Sequence, residues 1–175
     1  MIDAKPITRL GLWLLQQANA PPQVWDFVFE LAADILSLTS RPSLAYGNQP
    51  GYKRITNLKP DISQHASFGF YDWIWHWDEV EKVKQLGRWL GVAENVGRIM
   101  TFWILNSKSS AIPRSTITSL SPAELDSRII QEWMAAFNNN ICSKFKVLNR
   151  ISDAERKHPG DVIDVNHATR SLGET

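Results

Sequence analysis

Cysteine is almost absent: the 175-residue chain has one, Cys142, which excludes an internal disulfide framework and fits a reducing compartment. No stretch approaches the roughly 20 consecutive apolar residues that a membrane-spanning helix needs. Net charge is nearly absent too, at +1, so overall charge points to neither a nucleic-acid binder nor a membrane-surface protein, and any electrostatic footprint must be local. The first residues, "MIDAKPITRLGLWLLQQ", carry Asp3 and lack a basic leader, which argues against a secretory signal. The expectation is a soluble intracellular chain with no membrane partner.

Motifs for chemistry are equally scarce. The four histidines (His65, His76, His158, His167) show no i, i+3 or i, i+4 pairing with one another, and there is no Cys-x-x-Cys, so spacing predicts no metal site. Gly87, Gly91 and Gly97 do not open a helix, as a dinucleotide-binding turn requires, and no phosphate-cradling Gly-Lys-Ser/Thr loop or nucleophile elbow exists. Three carboxylates, Asp78, Glu79 and Glu81, alternate with Lys82 and Lys84; this pattern fits a solvated turn better than an acid–base pair.

Tryptophan, by contrast, is abundant. Five of the eight fall between residues 70 and 105: Trp73, Trp75, Trp77, Trp89 and Trp103. Upstream, apolar residues recur with helical spacing over Ile7–Ala18 and again over Pro22–Thr39, and Pro21-Pro22 marks the second start. Residues 40–64 have the proline and glycine of a loop. From Phe68 the period changes to two, with Trp73, Trp75 and Trp77 on one face of a strand and Ile74 and His76 on the other. "QLGRWLGVA", "RIMTFWILN" and "AIPRSTITSL" predict three more strands, with Gly87 and Gly91 as bends or bulges.

A helical period returns at Ser121. The Ser121-Pro122-x-Glu124 capping box opens it, and Leu125, Ile129, Trp133, Phe137, Ile141 and Phe145 form an apolar stripe. The expected fold is α+β. Residues 1–62 are helical with a loop, 63–120 form a small SH3-like antiparallel β-barrel, 121–150 an amphipathic helix and 151–175 a disordered tail. Between Pro50 and Leu120 nine Lys/Arg face six Asp/Glu. Lys82, Lys84, Arg88, Arg98, Lys108 and Arg114 lie in or beside the predicted barrel and are the candidates for phosphate contact, with the tryptophans as its core.

An ordered set of segments resembles the integrase region of copia-type LTR-retrotransposon polyproteins, in the branch found in algae and other protists. "NAPPQVWDFVFELAADILSLTS" is similar to the helix after the catalytic core's last acidic residue, and "GYKRITNLKPDIS" resembles the family's Thr…Pro-Asp-Ile-Ser stretch. "FGFYDWIWHWD" and "KQLGRWLGVAENVGRIMTFWILNSKSSAIPRSTITSL" resemble the strands that follow. The resemblance covers residues from about 5 to 145.

It implies that residues 1–62 are the helical end of an RNase H-like core and that the strand region contacts DNA or braces a nucleoprotein complex. It also places the family's Asp, Asp, Glu triad outside this chain or at its edge, and the zinc-binding head upstream. The implied protein is therefore a Pol polyprotein fragment, not an enzyme by itself. It carries no cofactor, although the parent integrase uses Mg²⁺ or Mn²⁺ and zinc. Its implied partners are DNA, bound weakly and without sequence preference, and other integrase or Pol chains. Its implied place is the nucleus or a cytoplasmic particle. Two alternatives stand beside this reading: an SH3- or Tudor-like protein-interaction module with an aromatic cage, and a retroelement remnant without function.

Overall fold

The computed structural model describes residues 5–39, 48–94, 96 and 100–157, and of residues 147–157 only the helical backbone. The chain divides into two compact units, 1–142 and 143–175. The first opens with α1 (Lys5–Gln17), a 3-10 turn (Pro22–Val24) and α2 (Trp25–Leu38). Both helices fall where the apolar spacing predicts them. Val28, Leu31 and Ala32, the i, i+3, i+4 face of α2, are buried where that helix meets α1 and the sheet. The predicted loop contains a short helix, α3 (Gly51–Thr56), and a second, α4 (Ser63–Ala66), begins at its end, where the predicted barrel was to start. Neither has the length to write a recognisable apolar period.

The sheet consists of β1 (Trp73–Asp78), β2 (Val83–Val92), β3 (Phe102–Leu105), β4 (Ala111–Arg114) and β5 (Ile117–Ser119), in the order β4-β3-β2-β1-β5 with every pair antiparallel. This corrects the expected closed SH3-like barrel: the sheet is open, and among the described residues no ladder joins β4 to β5. "AIPRSTITSL" is two strands rather than one, linked only by Ser115 and Thr116. Three residues of chain span at most about 11 Å. Five flat strands would put their outer members about 19 Å apart. The sheet therefore curls, but its edges stay unpaired: both are short, and Pro113 offers no N–H to a ladder.

Each face of the sheet has its own packing. Ile74 and His76 are almost wholly buried on one face, as are Trp89 and Ile104. Phe68 joins this layer by stacking on Trp89, 6.1 Å between ring centres, although residues 68–72 precede β1 rather than belonging to it. On the other face Trp75, Leu86 and Leu120 cluster with Trp73, Ile130 and Met134. The tryptophan roles divide accordingly: Trp89 and Trp75 are buried, Trp73 and Trp103 half-buried, and Trp77 exposed.

Ile130 and Met134 belong to α6 (Arg128–Lys157), which follows the short α5 (Pro122–Leu125). The capping box forms as expected: Glu124 N–H donates to Ser121 Oγ and Ser121 N–H to Glu124 Oε2. The single predicted helix is nonetheless broken at Asp126–Ser127, and α6 runs on through 151–157, where a disordered tail was expected. Residues 158–175 of that tail lie outside the described residues.

The apolar stripe is covered along only part of its length. Phe137 and Ile141 are buried, but Leu125, Ile129 and Trp133 are among the exposed apolar residues. A four-residue step overshoots a full turn by about 40°, so a strict i+4 stripe winds off the contact face. Ile130 and Met134 take over at its N-terminal end. Phe145 falls in the second unit, whose described part is the continuation of α6.

Candidate functional site

The β1–β2 and β3–β4 turns lie side by side at one end of the sheet. Lys108, in the second turn, approaches Glu81, in the first, to 3.8 Å. Asp78 shapes the first turn by accepting from the backbone N–H groups of Val80 and Glu81, which hold its carboxyl below the usual range. Asn106 shapes the second by accepting from the N–H groups of Lys108 and Ser110. The first turn is solvated, as its alternating charges suggest, whereas Asn106, Ser107 and Ser109 of the second are half-buried. Lys82 and Lys84 are exposed beside them.

Between this end of the sheet and α6 opens a cleft of about 340 Å³, lined by Trp75, Lys84, Leu86, Trp133, Phe137 and Asn140. Strand alternation places Trp75 and Leu86 opposite each other on the cleft face. Trp75 meets Trp133 edge-on at 6.4 Å, and its indole N–H donates to Glu124 Oε1 over 3.2 Å. The Lys84 ammonium lies 5.3 Å from the Trp75 ring centre. Asn140 Nδ2 donates to the Ser107 carbonyl at 2.8 Å, which ties α6 to the β3–β4 turn. The result is an aromatic wall with an amine at its mouth.

The other basic candidates lie elsewhere. Arg88 is spent on the protein itself: its guanidinium stacks 3.3 Å from the Trp73 ring centre and 4.5 Å from that of Tyr71. It donates to the Tyr71 carbonyl at 2.9 Å and to Asn138 Oδ1 at 3.3 Å. Burial pushes its pKa down to about 10, so it stays charged at neutral pH while shielded from solvent. Arg114 sits at the far end of β4, paired with Phe102, and donates to the Pro113 carbonyl. Arg98 lies outside the described residues. Of the six, the fold gathers Lys82, Lys84 and Lys108.

A second cluster escaped the spacing test. Asp34 on α2, His65 on α4 and Glu94 just beyond β2 each present a donor atom within 4.8 Å of the others. About thirty residues separate each from the next, so only the packing of α2 and α4 against β2 brings them together. Burial, then the charges of Glu94 and Glu30, raise the Asp34 pKa to about 6. Burial lowers that of His65 against the opposing pull of Glu94, and His65 Nδ1 is buried without a hydrogen-bond partner. Two partly shielded groups of complementary chemistry thus face an exposed carboxylate.

No family model, curated protein or solved structure matches this chain. Among the described residues no helix is long and apolar enough to cross a membrane.

Proposed function

We propose that the chain is a non-catalytic nucleic-acid-associating module, of the kind that its resemblance to a copia-type integrase fragment implies. The observation that supports this reading most is that Lys84 lines the Trp75–Trp133 cleft, which opens at the end of the sheet whose turns carry Lys82 and Lys108. Ammonium groups supply phosphate contacts that carry no sequence information. An exposed indole beside them offers a stacking surface for an unpaired base, worth about 1–3 kcal/mol per base. Trp133 is 53% exposed and can take that role without leaving its contact with Trp75. The Glu81–Lys108 pair does not offset this, because exposed ion pairs contribute about 0–1 kcal/mol and yield to a stronger anion.

Fluorescent single-stranded and duplex oligonucleotides titrated at low and moderate salt test the reading. Three phosphate contacts give a slope of log K against log salt near −2.7 for duplex and about −2.1 for single strand. Lys82→Ala with Lys84→Ala flattens both slopes, whereas Trp133→Ala weakens the single strand more than the duplex. No binding at low salt, or binding indifferent to salt, overturns the proposal. A second reading, recognition of a peptide in the same cleft, is favoured by the apolar side chains of Trp75, Leu86, Trp133 and Phe137 along it; salt-insensitive binding of an uncharged peptide, lost in Trp133→Ala, distinguishes it.

A further inference from the structure

The Asp34–His65–Glu94 cluster takes no part in the lysine-rich end of the sheet, and its chemistry differs. We infer that it is a binding site for a divalent transition-metal cation, zinc above all, which ties α2, α4 and the end of β2 together. Three observations carry this. The donor set is one imidazole nitrogen and two carboxylates from three separate elements, with the donor atoms within 4.8 Å of one another. Ligands bound at about 2.1 Å to one cation lie roughly 3–4 Å apart, so small side-chain rotations complete the site. His65 Nδ1 is shielded from water and unpartnered, a cost that a hydrogen bond or a metal bond would remove.

The donor chemistry chooses the ion. Calcium and magnesium favour oxygen-only shells, whereas an imidazole with carboxylates suits zinc and its transition-metal neighbours. Glu94 is exposed, which leaves the cation a solvent-facing position for water. Two carboxylates and a neutral imidazole give the ligand set a charge of −2, matched to a divalent ion. The ion would replace repulsion between Asp34 and Glu94 with shared attraction.

The test uses the full chain with Cys142→Ser, so that the exposed thiol cannot supply a competing ligand. Calorimetric titration of the metal-free protein with zinc chloride should show one saturable equivalent and a rise in melting temperature. Asp34→Asn, His65→Gln and Glu94→Gln should each weaken binding at least about tenfold. Magnesium chloride at the same concentrations should produce neither effect. Metal-free melting separates ligand loss from misfolding, because Asn at position 34 removes a half-buried charge and should leave the metal-free fold at least as stable. The absence of saturable zinc binding overturns the inference, as does zinc binding that survives all three substitutions. Neither result bears on oligonucleotide affinity, so this inference and the nucleic-acid proposal fail independently.

Discussion

Arg88 offers the sharpest division between a phosphate contact and a structural one. Replacing it with Ala removes a guanidinium 3.3 Å from the Trp73 ring centre, and leaves the Tyr71 carbonyl and Asn138 without their donor. A shielded cation–π contact is worth up to about 2 kcal/mol, and a hydrogen bond from a charged donor about 1.5–3 kcal/mol. These terms share one side chain and do not add fully, so a net loss of about 3 kcal/mol is expected. With a urea dependence of about 2 kcal/mol per molar, the midpoint falls by roughly 1.5 M. Arg88→Lys keeps the charge but not the planar fork, and should lose about half as much. Oligonucleotide titration of Arg88→Lys completes the assay: its salt slope should equal that of the parent chain. An unchanged urea midpoint together with a slope flattened by about one phosphate would refute the reasoning, because Arg88 would then face the ligand rather than the helix.

Other perturbations probe the core and its backbone. Trp75→Ala should cost about 3–5 kcal/mol, as expected for a large buried ring, and Trp133→Ala less than half of that, both read from urea midpoints. Gly91 has φ +147° at the bulge between Trp89 and Gly91, so Gly91→Ala should cost at least about 1 kcal/mol, although nothing blocks the added methyl group. Gly87→Ala should cost about 1–3 kcal/mol for a different reason: its Cβ would stand 3.1 Å from both the His76 ring and the Leu105 carbonyl oxygen. His76 is buried, and burial, with the charge of Arg114 acting in the same sense, lowers its pKa against smaller opposing pulls from the Trp77 backbone and Asp78. Below pH 6.5 the unfolded chain therefore takes up a proton that the folded chain refuses. This contribution to stability is full above pH 6.5 and declines as pH falls, by at most about 1.4 kcal/mol per pH unit. Imidazole NMR should show the His76 ring titrating below its ordinary value in the folded chain; a folded-state titration at or above that value would refute the assignment.

Much of the fold was legible where one physical rule dominates. The α1 and α2 periods, the alternation through Trp73–Trp77 and the Ser121–Glu124 capping box each depend on near neighbours in the chain, and each appears where its pattern lies. Sheet closure does not depend on near neighbours. Whether "AIPRSTITSL" is one strand or two depends on a distant partner, since β4 pairs with its hairpin neighbour β3 while β5 pairs with β1, some 40 residues upstream. The stripe on α6 misled because a period of four is near enough to 3.6 to look like a face, yet drifts away from it over three turns.

The candidate sites divide by the same criterion. Lys82 and Lys84 are two residues apart in sequence and remained together, while Lys108 joined them only through the hairpin turns. Arg88 looks like its basic neighbours in sequence, because nothing local shows that Tyr71 and Trp73 will enclose it. Asp34, His65 and Glu94 were invisible to a spacing test that looks within one turn of helix, since their convergence is a property of α2 and α4 packing on β2. A signal was nevertheless present. Asp34 stands two residues from buried Ala32 on α2 and is itself half-buried, and an acid so close to a buried face needs a partner or a cation. Here the nearby charges are Glu94 and Glu30, both of the same sign, so the fold itself brings together groups that only a proton, or a cation, can reconcile.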